Sequence, residues 1–186
     1  IDCQAGSPAD IAVFPQPGLA ANIAATGCLK ALNSDVEQLV RDNYAAAQSW
    51  IDLATYKSEN NTNKFYGVFY RVNVKSLVWY SPDNFEDNGY EVPTSMEELL
   101  ALTDQMAADG NTPWCIGLGS GGATGWPATD WMEDIMLRTH SPMVYDQWVS
   151  NDMKFNDPRV IEAMNFFGSI ALNDSYVNGG SKAVAT

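Results

Sequence analysis

Residues 8–33 read as strand, turn and helix. The run Asp10-Ile11-Ala12-Val13-Phe14 has the length and unbroken apolarity of a buried strand, and Pro15-Gln16-Pro17-Gly18 stops it. Leu19 to Thr26 has helical composition, closed by Gly27, since glycine tolerates the left-handed conformation at a helix end. Ser34-Asp35-Val36-Glu37 predicts a capping box and a helix to about Leu53, with Val36, Leu39, Val40, Tyr44, Ala47, Trp50 and Ile51 on one face. The polar, Asn-rich stretch Tyr56 to Lys64 reads as a surface loop. Phe65 to Tyr80 is β-branched and aromatic at both ends, which predicts extended chain throughout, ended by a turn at Ser81-Pro82-Asp83-Asn84.

Further along, Thr94-Ser95-Met96-Glu97 predicts a second capping box and a helix with Leu99, Leu100, Thr103 and Met106 on one face, stopped by Gly110. A short strand is expected over Trp114 to Leu118, followed by a flexible run, Gly119 to Gly125. Thr129 or Asp130 then caps a helix to about Thr139. The last helix begins at Asp157-Pro158, an N-cap followed by proline at the first helical position, and is expected to bury Val160, Ile161, Met164, Phe167 and Ile170. There is no internal repeat.

Composition sharpens the picture. The 186 residues suffice for one large domain or two small lobes and contain no apolar run of the roughly 20 residues a membrane span needs. Ten Lys+Arg against 23 Asp+Glu give a net charge of −13, which repels phosphate backbones and makes nucleic acid an unfavourable partner. The chain opens Ile1-Asp2-Cys3-Gln4, without Met or a basic leader, and so reads as a mature or truncated segment. Its three cysteines, Cys3, Cys28 and Cys115, are too scattered for a zinc site; they read as buried free thiols, with a Cys3–Cys28 bridge as the alternative. No metal and no cofactor is expected.

Several motifs match a known pattern only in part. Gly117 to Gly122 fits G-x-G-x-x-G formally, but Trp126-Pro127 is expected to delay the helix whose N-terminus would meet a pyrophosphate. Ser120 misses the G-x-S-x-G elbow at its first position, and the single His140 restricts any histidine-based triad. Glu133 and Asp134 are adjacent on a helix, about 100° apart, and read as a solvated face rather than a glycosidase pair. The aromatics carry more. Trp126, between Gly125 and Pro127, is a candidate to present a flat apolar face to a ligand, with Thr124, Thr129 and Asp130 supplying hydrogen bonds. Trp131 is either a second platform or simply core. Asn73 and Lys75 alternate in an otherwise apolar segment and so share a face; Lys75 would bond a ligand hydroxyl or neutralise a carboxylate.

The series Pro8-Ala9-Asp10-Ile11-Ala12, Pro15-Gln16-Pro17-Gly18, Val78-Trp79-Tyr80-Ser81-Pro82, Pro113-Trp114-Cys115-Ile116-Gly117 and Ala123-Thr124-Gly125-Trp126-Pro127-Ala128-Thr129-Asp130-Trp131 resembles the family 1 extracellular solute-binding proteins of ABC importers. Within that family it is most similar to the sugar and α-glucoside binders, over roughly residues 8–172. The resemblance implies an α/β, periplasmic-binding-protein-like two-lobe fold of type II, truncated at both ends, with lobes that close on ligand by hinge bending. Residues 1–71 would be a partial amino-terminal lobe, 72–75 a hinge crossing and 76–186 a partial carboxy-terminal lobe. It also implies a non-enzymatic binding component, periplasmic or extracellular and either free or lipid-anchored, that serves a membrane permease and takes a carbohydrate in an interlobe cleft. The expected ligand contacts are Gln16, Gly18, Asn73, Lys75, Ser120, Thr124, Trp126, Thr129 and Asp130. A binder for another small solute such as a polyamine is the alternative, and a carbohydrate-active enzyme a more distant one. Apolar surface left uncovered by the missing elements would favour self-association.

Overall fold

The computed structural model describes residue 3 and residues 5–184. The chain divides into two compact units, Ile1–Asn73 and Val74–Thr186. Helices dominate; among the described residues the regular sheet is one short hairpin, with a single parallel bridge elsewhere.

The first unit contains α1 (Pro17–Ala24), α2 (Ser34–Asn43), α3 (Ala47–Leu53), β1 (Thr55–Lys57) and β2 (Asn63–Phe65). Proline in the first turn starts α1, whose buried face is Ala20 and Ala24, and Gly27 follows in the left-handed region. The strand expected at Asp10–Phe14 does not form. Nothing described pairs with it, so its backbone groups have no ladder to join, and Ile11 and Val13 face solvent. Asn33, not Ser34, caps α2, its side chain accepting from the Val36 N–H. The single helix expected to Leu53 is two, because Ala46 adopts φ 53° and redirects the chain. The surface loop expected at 56–64 is instead a hairpin pairing Thr55 with Phe65, Tyr56 with Lys64 and Lys57 with Asn63. Buried Ser58 closes its turn with the Thr62 hydroxyl at 2.9 Å. Val40, Ile51, Ala54 and Phe65 form the core, flanked by Tyr44, Trp50 and Phe69.

A disulfide joins Cys3 to Cys28, and Cys115 is free and exposed. The expectation of three buried thiols is therefore replaced by its alternative.

The second unit holds α4 (Pro82–Asn88), α5 (Met96–Ala108), α6 (Trp126–Thr139), α7 (Pro142–Val149) and α8 (Pro158–Ala171). The turn expected at Ser81–Asn84 is the start of α4, with Ser81 accepting from Asn84 N–H. Its capping box sets α5 one residue later than expected: Ser95 accepts from Glu98 N–H at 3.1 Å, while Glu98 reaches back to Thr94 N–H at 2.6 Å. Those bonds from Thr94 hold the Glu98 carboxyl below its usual range. Trp114–Leu118 reduces to a parallel bridge between Trp114 and Val177. The extended stretch to Tyr80 forms no strand, and Ser76 at φ 62° breaks its run.

Two apolar clusters organise this unit. Met132, Ile135 and Met136 of α6 pack with Trp148, Met153, Val160 and Ala163. Trp114, Ile170, Val177 and Val184 form the other. Trp131 packs against both, with ring centroids 5.7 Å from Trp114 and 5.3 Å from Phe167, which settles it as mainly a packing residue. The N-cap of α8 is Asp157, as expected, but the buried face is Val160, Ala163, Ile170 and Ala171; Ile161 and Met164 are exposed.

Candidate functional site

A cavity of about 990 Å³ opens in the second unit, between the 74–81 segment, α4, α5, the 111–117 segment and the first turns of α6. Its position follows from local chemistry. Gly125, at φ 103°, and Pro127 in the first turn start α6 at Trp126, with Gly125 at the N-cap, four residues before Thr129, the first of the two expected caps. Trp126 and Asp130 are consequently one turn apart on one helix face. Lys75 meets both: its Nζ lies 2.9 Å from Asp130 Oδ2 and 4.6 Å from the Trp126 ring centroid. All three line the cavity. Trp126 retains 44% of its surface exposed, so its ring is accessible as a platform.

The opposite wall is aromatic and amide-rich. Tyr80, Phe85 and Tyr90 pack in series, with centroids 4.8 and 6.0 Å apart. Asn111 Nδ2 donates to the Tyr90 hydroxyl at 2.8 Å, and that hydroxyl donates to Asp109 at 3.0 Å. On the floor, Trp114 Nε1 donates to the Thr103 hydroxyl at 3.0 Å and Thr103 to the Leu99 carbonyl at 2.8 Å, which fixes both side chains. Trp79, 86% exposed, adds a second apolar face to the lining. Apolar walls carrying a few placed polar groups are the chemistry of small polar-ligand pockets.

The sequence-derived contacts divide accordingly. Lys75, Trp126 and Asp130 come together at the cavity. Ser120 and Thr124 turn to each other: Thr124 Oγ1 accepts from Ser120 N–H at 3.0 Å and donates to the Gly121 carbonyl at 2.8 Å, and neither lines the cavity. Thr129 is exposed on α6, outside the lining. Gln16, at the N-cap of α1, Gly18 and Asn73 belong to the first unit and are exposed. Missed were Trp79, Asn84, Asn88, Tyr90 and Asn111. The available signal was Ser81-Pro82, the same cap-plus-proline pair that located α8. It starts α4 and places Asn84 and Asn88 at i and i+4.

Glu133 and Asp134 do not converge. Glu133 accepts from the Tyr145 hydroxyl at 3.2 Å, and Asp134 takes two bonds from Arg138 Nε, at 2.9 and 3.0 Å. Burial, reinforced by the Glu133 carboxylate, pushes the Tyr145 phenol up to about 12. Its neutral form is favoured by folding, so this contribution is complete below the ordinary tyrosine value near 10 and lost as pH rises towards 12. A phenolate absorbance titration should find one tyrosine that ionises last, and Glu133→Gln should bring it down; a Tyr145→Phe protein with an unchanged titration curve above pH 11 would contradict this assignment.

Among the described residues no group of three or more His, Cys, Asp or Glu is gathered to hold a metal, and no helix is long and apolar enough to cross a membrane. The chain is 58% identical, along its whole length, to the alpha-glucosides-binding periplasmic protein AglE of Rhizobium meliloti, of which it covers 41%. It is 48% identical over 182 residues to the osmoprotective compounds-binding protein GgtB of Synechocystis sp., covering 97% of this chain and 41% of that protein. An ABC transporter extracellular-binding protein of Pyrococcus horikoshii is 24% identical over 108 residues, 56% of this chain and 23% of that one. The chain thus spans about two fifths of the length of the first two relatives. No solved structure matches it. The bacterial extracellular solute-binding family matches over residues 1–183, and this chain belongs to that family.

Proposed function

We propose that the protein carrying this chain is the extracytoplasmic substrate-binding component of an ABC importer, and that it takes an α-glucoside or related oligosaccharide non-covalently. The observation that carries this reading is the 58% identity, unbroken along the chain, to a protein named for binding alpha-glucosides. The cavity supports it: an exposed indole face beside a carboxylate and an ammonium suits a pyranose, whose C–H face stacks on the ring while its hydroxyls bond the flanking charges. The Cys3–Cys28 disulfide accords with an oxidising, extracytoplasmic location. The fold proposed for the whole protein is the two-lobe, type II arrangement, with Gln16 and Gly18 as contacts from the amino-terminal lobe and 72–75 as the crossing, which carries Asn73. Its partner would be a membrane permease.

A second reading, an osmoprotective solute as ligand, draws on the 48% identical relative. Both readings place a small polar solute on the same indole.

Trp126→Ala tests the platform. A buried tryptophan at the centre of a contact carries about 2 kcal/mol or more of binding energy, so affinity for an α-glucoside should fall about thirtyfold or further in the full-length protein. Thermal stability should hardly change, because the ring is half exposed. Unaltered affinity measured by calorimetry would remove Trp126 from the site.

A further inference from the structure

The cavity's charges balance in an informative way. Its charged lining residues are Lys75, Asp130 and Asp134. Asp134 is engaged by Arg138 at 2.9 Å, and Asp130 by Lys75 at 2.9 Å. Each charge is matched, so the lining presents no unpaired ion to a solute. Removing Lys75 would change that at one point: a carboxylate would stand unopposed one helical turn from an indole face. A carboxylate beside an aromatic face is the chemistry that holds an ammonium ion, through an ion pair on one side and a cation–π contact on the other. The Lys75 ammonium already makes both contacts, with Asp130 and with Trp126.

We propose that Lys75 is a specificity residue, which fills from within the cation site formed by Trp126 and Asp130, so that the cavity refuses cationic solutes and accepts uncharged ones. A chain of net charge −13 concentrates cations at its surface, and a receptor for a neutral ligand needs a local device against them. Lys75 supplies it twice over, by occupying the ring face and by cancelling the carboxylate. A neutral solute displaces the ammonium from the ring without stranding Asp130, since the lysine stem is long and the ion pair can persist. A cationic solute must compete with a tethered ammonium for both partners. The inference rests on the cavity being the ligand site; the carbohydrate identity of the ligand is a separate matter.

The test uses the full-length protein labelled with 5-fluorotryptophan, the Trp126 resonance being identified by its loss in Trp126→Phe. Butylammonium chloride, which duplicates the lysine side chain, is titrated at constant ionic strength. A local resonance is needed because the acidic surface will gather ammonium elsewhere. Lys75→Ala should gain a saturable shift of that resonance, with affinity at least tenfold tighter than wild type. Lys75→Arg, which keeps the cation, should respond as wild type does, and Lys75→Ala combined with Asp130→Asn should lose the gain. Lys75→Met, which keeps the stem without the charge, should behave as Lys75→Ala and guards against a folding defect in the truncated side chain. Equal responses of wild type, Lys75→Ala and Lys75→Met at unchanged melting temperature would overturn the proposal, as would a gain in Lys75→Arg. If the wild-type resonance ignores every α-glucoside while Lys75→Ala gains butylammonium, the carbohydrate reading falls and the role of Lys75 stands.

Discussion

Replacing Cys3 and Cys28 with serine is expected to destabilise the first unit by about 3.5 kcal/mol, the loop-closure value for a bridge spanning 25 residues. The effect should be large because that unit has little else to hold its amino-terminal segment. Its core is four buried side chains, Val40, Ile51, Ala54 and Phe65, and α1 contributes only Ala20 and Ala24. The segment 8–15 makes no regular pairing, so the disulfide is the strong tie between what precedes α1 and the turn that follows it. Urea unfolding followed through far-ultraviolet circular dichroism should show a transition assigned to this unit moving to lower denaturant in the serine variant and in reduced wild type alike. Identical curves with and without reductant would mean that the bridge adds no stability.

Met136→Ala should cost the second unit about 3 kcal/mol, within the usual range for truncating a fully buried methionine. Met136 is completely enclosed on α6, among Ile135, Trp148, Val160 and Ala163. The next residue is the control: Leu137 is 47% exposed, and Leu137→Ala should lie within about 0.5 kcal/mol of wild type. A lower urea midpoint at unchanged slope for the first variant alone is the expected pattern. Since α6 also carries Trp126 and Asp130, Met136→Ala should weaken ligand binding only through loss of folded protein. Comparable midpoints for the two variants would contradict the assigned core of α6.

Helix starts were the most legible part of the chain, and the failures among them are instructive. Asp157-Pro158 located α8 because a capping carboxylate followed by a ring that fixes φ has few other uses. A Ser-Pro pair likewise begins α4 at Ser81-Pro82, where the serine caps through its side chain, and α7 at Ser141-Pro142, where it does not. At Trp126-Pro127 the proline opens the helix that it is expected to delay. That earlier start, with Gly125 rather than Thr129 or Asp130 at the N-cap, is what brings Trp126 and Asp130 to one face. The match between Lys75 and Asp130, 55 residues apart in sequence, has no local signature; sequence offered only that Lys75 sought a carboxylate or a hydroxyl.

Strands were the illegible part. Asp10–Phe14 and much of 66–80 have the apolar content of buried strands, yet a strand is defined by its neighbours. Beyond Tyr66, whose N–H donates to the Ala54 carbonyl at 2.9 Å, no described residue joins them in a ladder, and Ile11, Tyr70, Val72, Val74 and Trp79 are each more than half exposed. Conversely, the hairpin over residues 55–65 forms from a polar stretch because Ser58, Asn61 and Thr62 close a tight turn. We propose that the exposed apolar positions favour self-association of this chain when isolated. Sedimentation at increasing concentration should show it, and a monomer at all concentrations would contradict it.

We propose that the full-length protein receives an uncharged glucoside at the Trp126 cavity. Calorimetric titration of that protein with maltose, and in parallel with spermidine, tests it most directly. Saturable one-site binding of the glucoside, weakened about thirtyfold by Trp126→Ala, and no saturable site for the polyamine are the expected results. Spermidine binding at a single tight site, with maltose and other α-glucosides giving no heat, would contradict it.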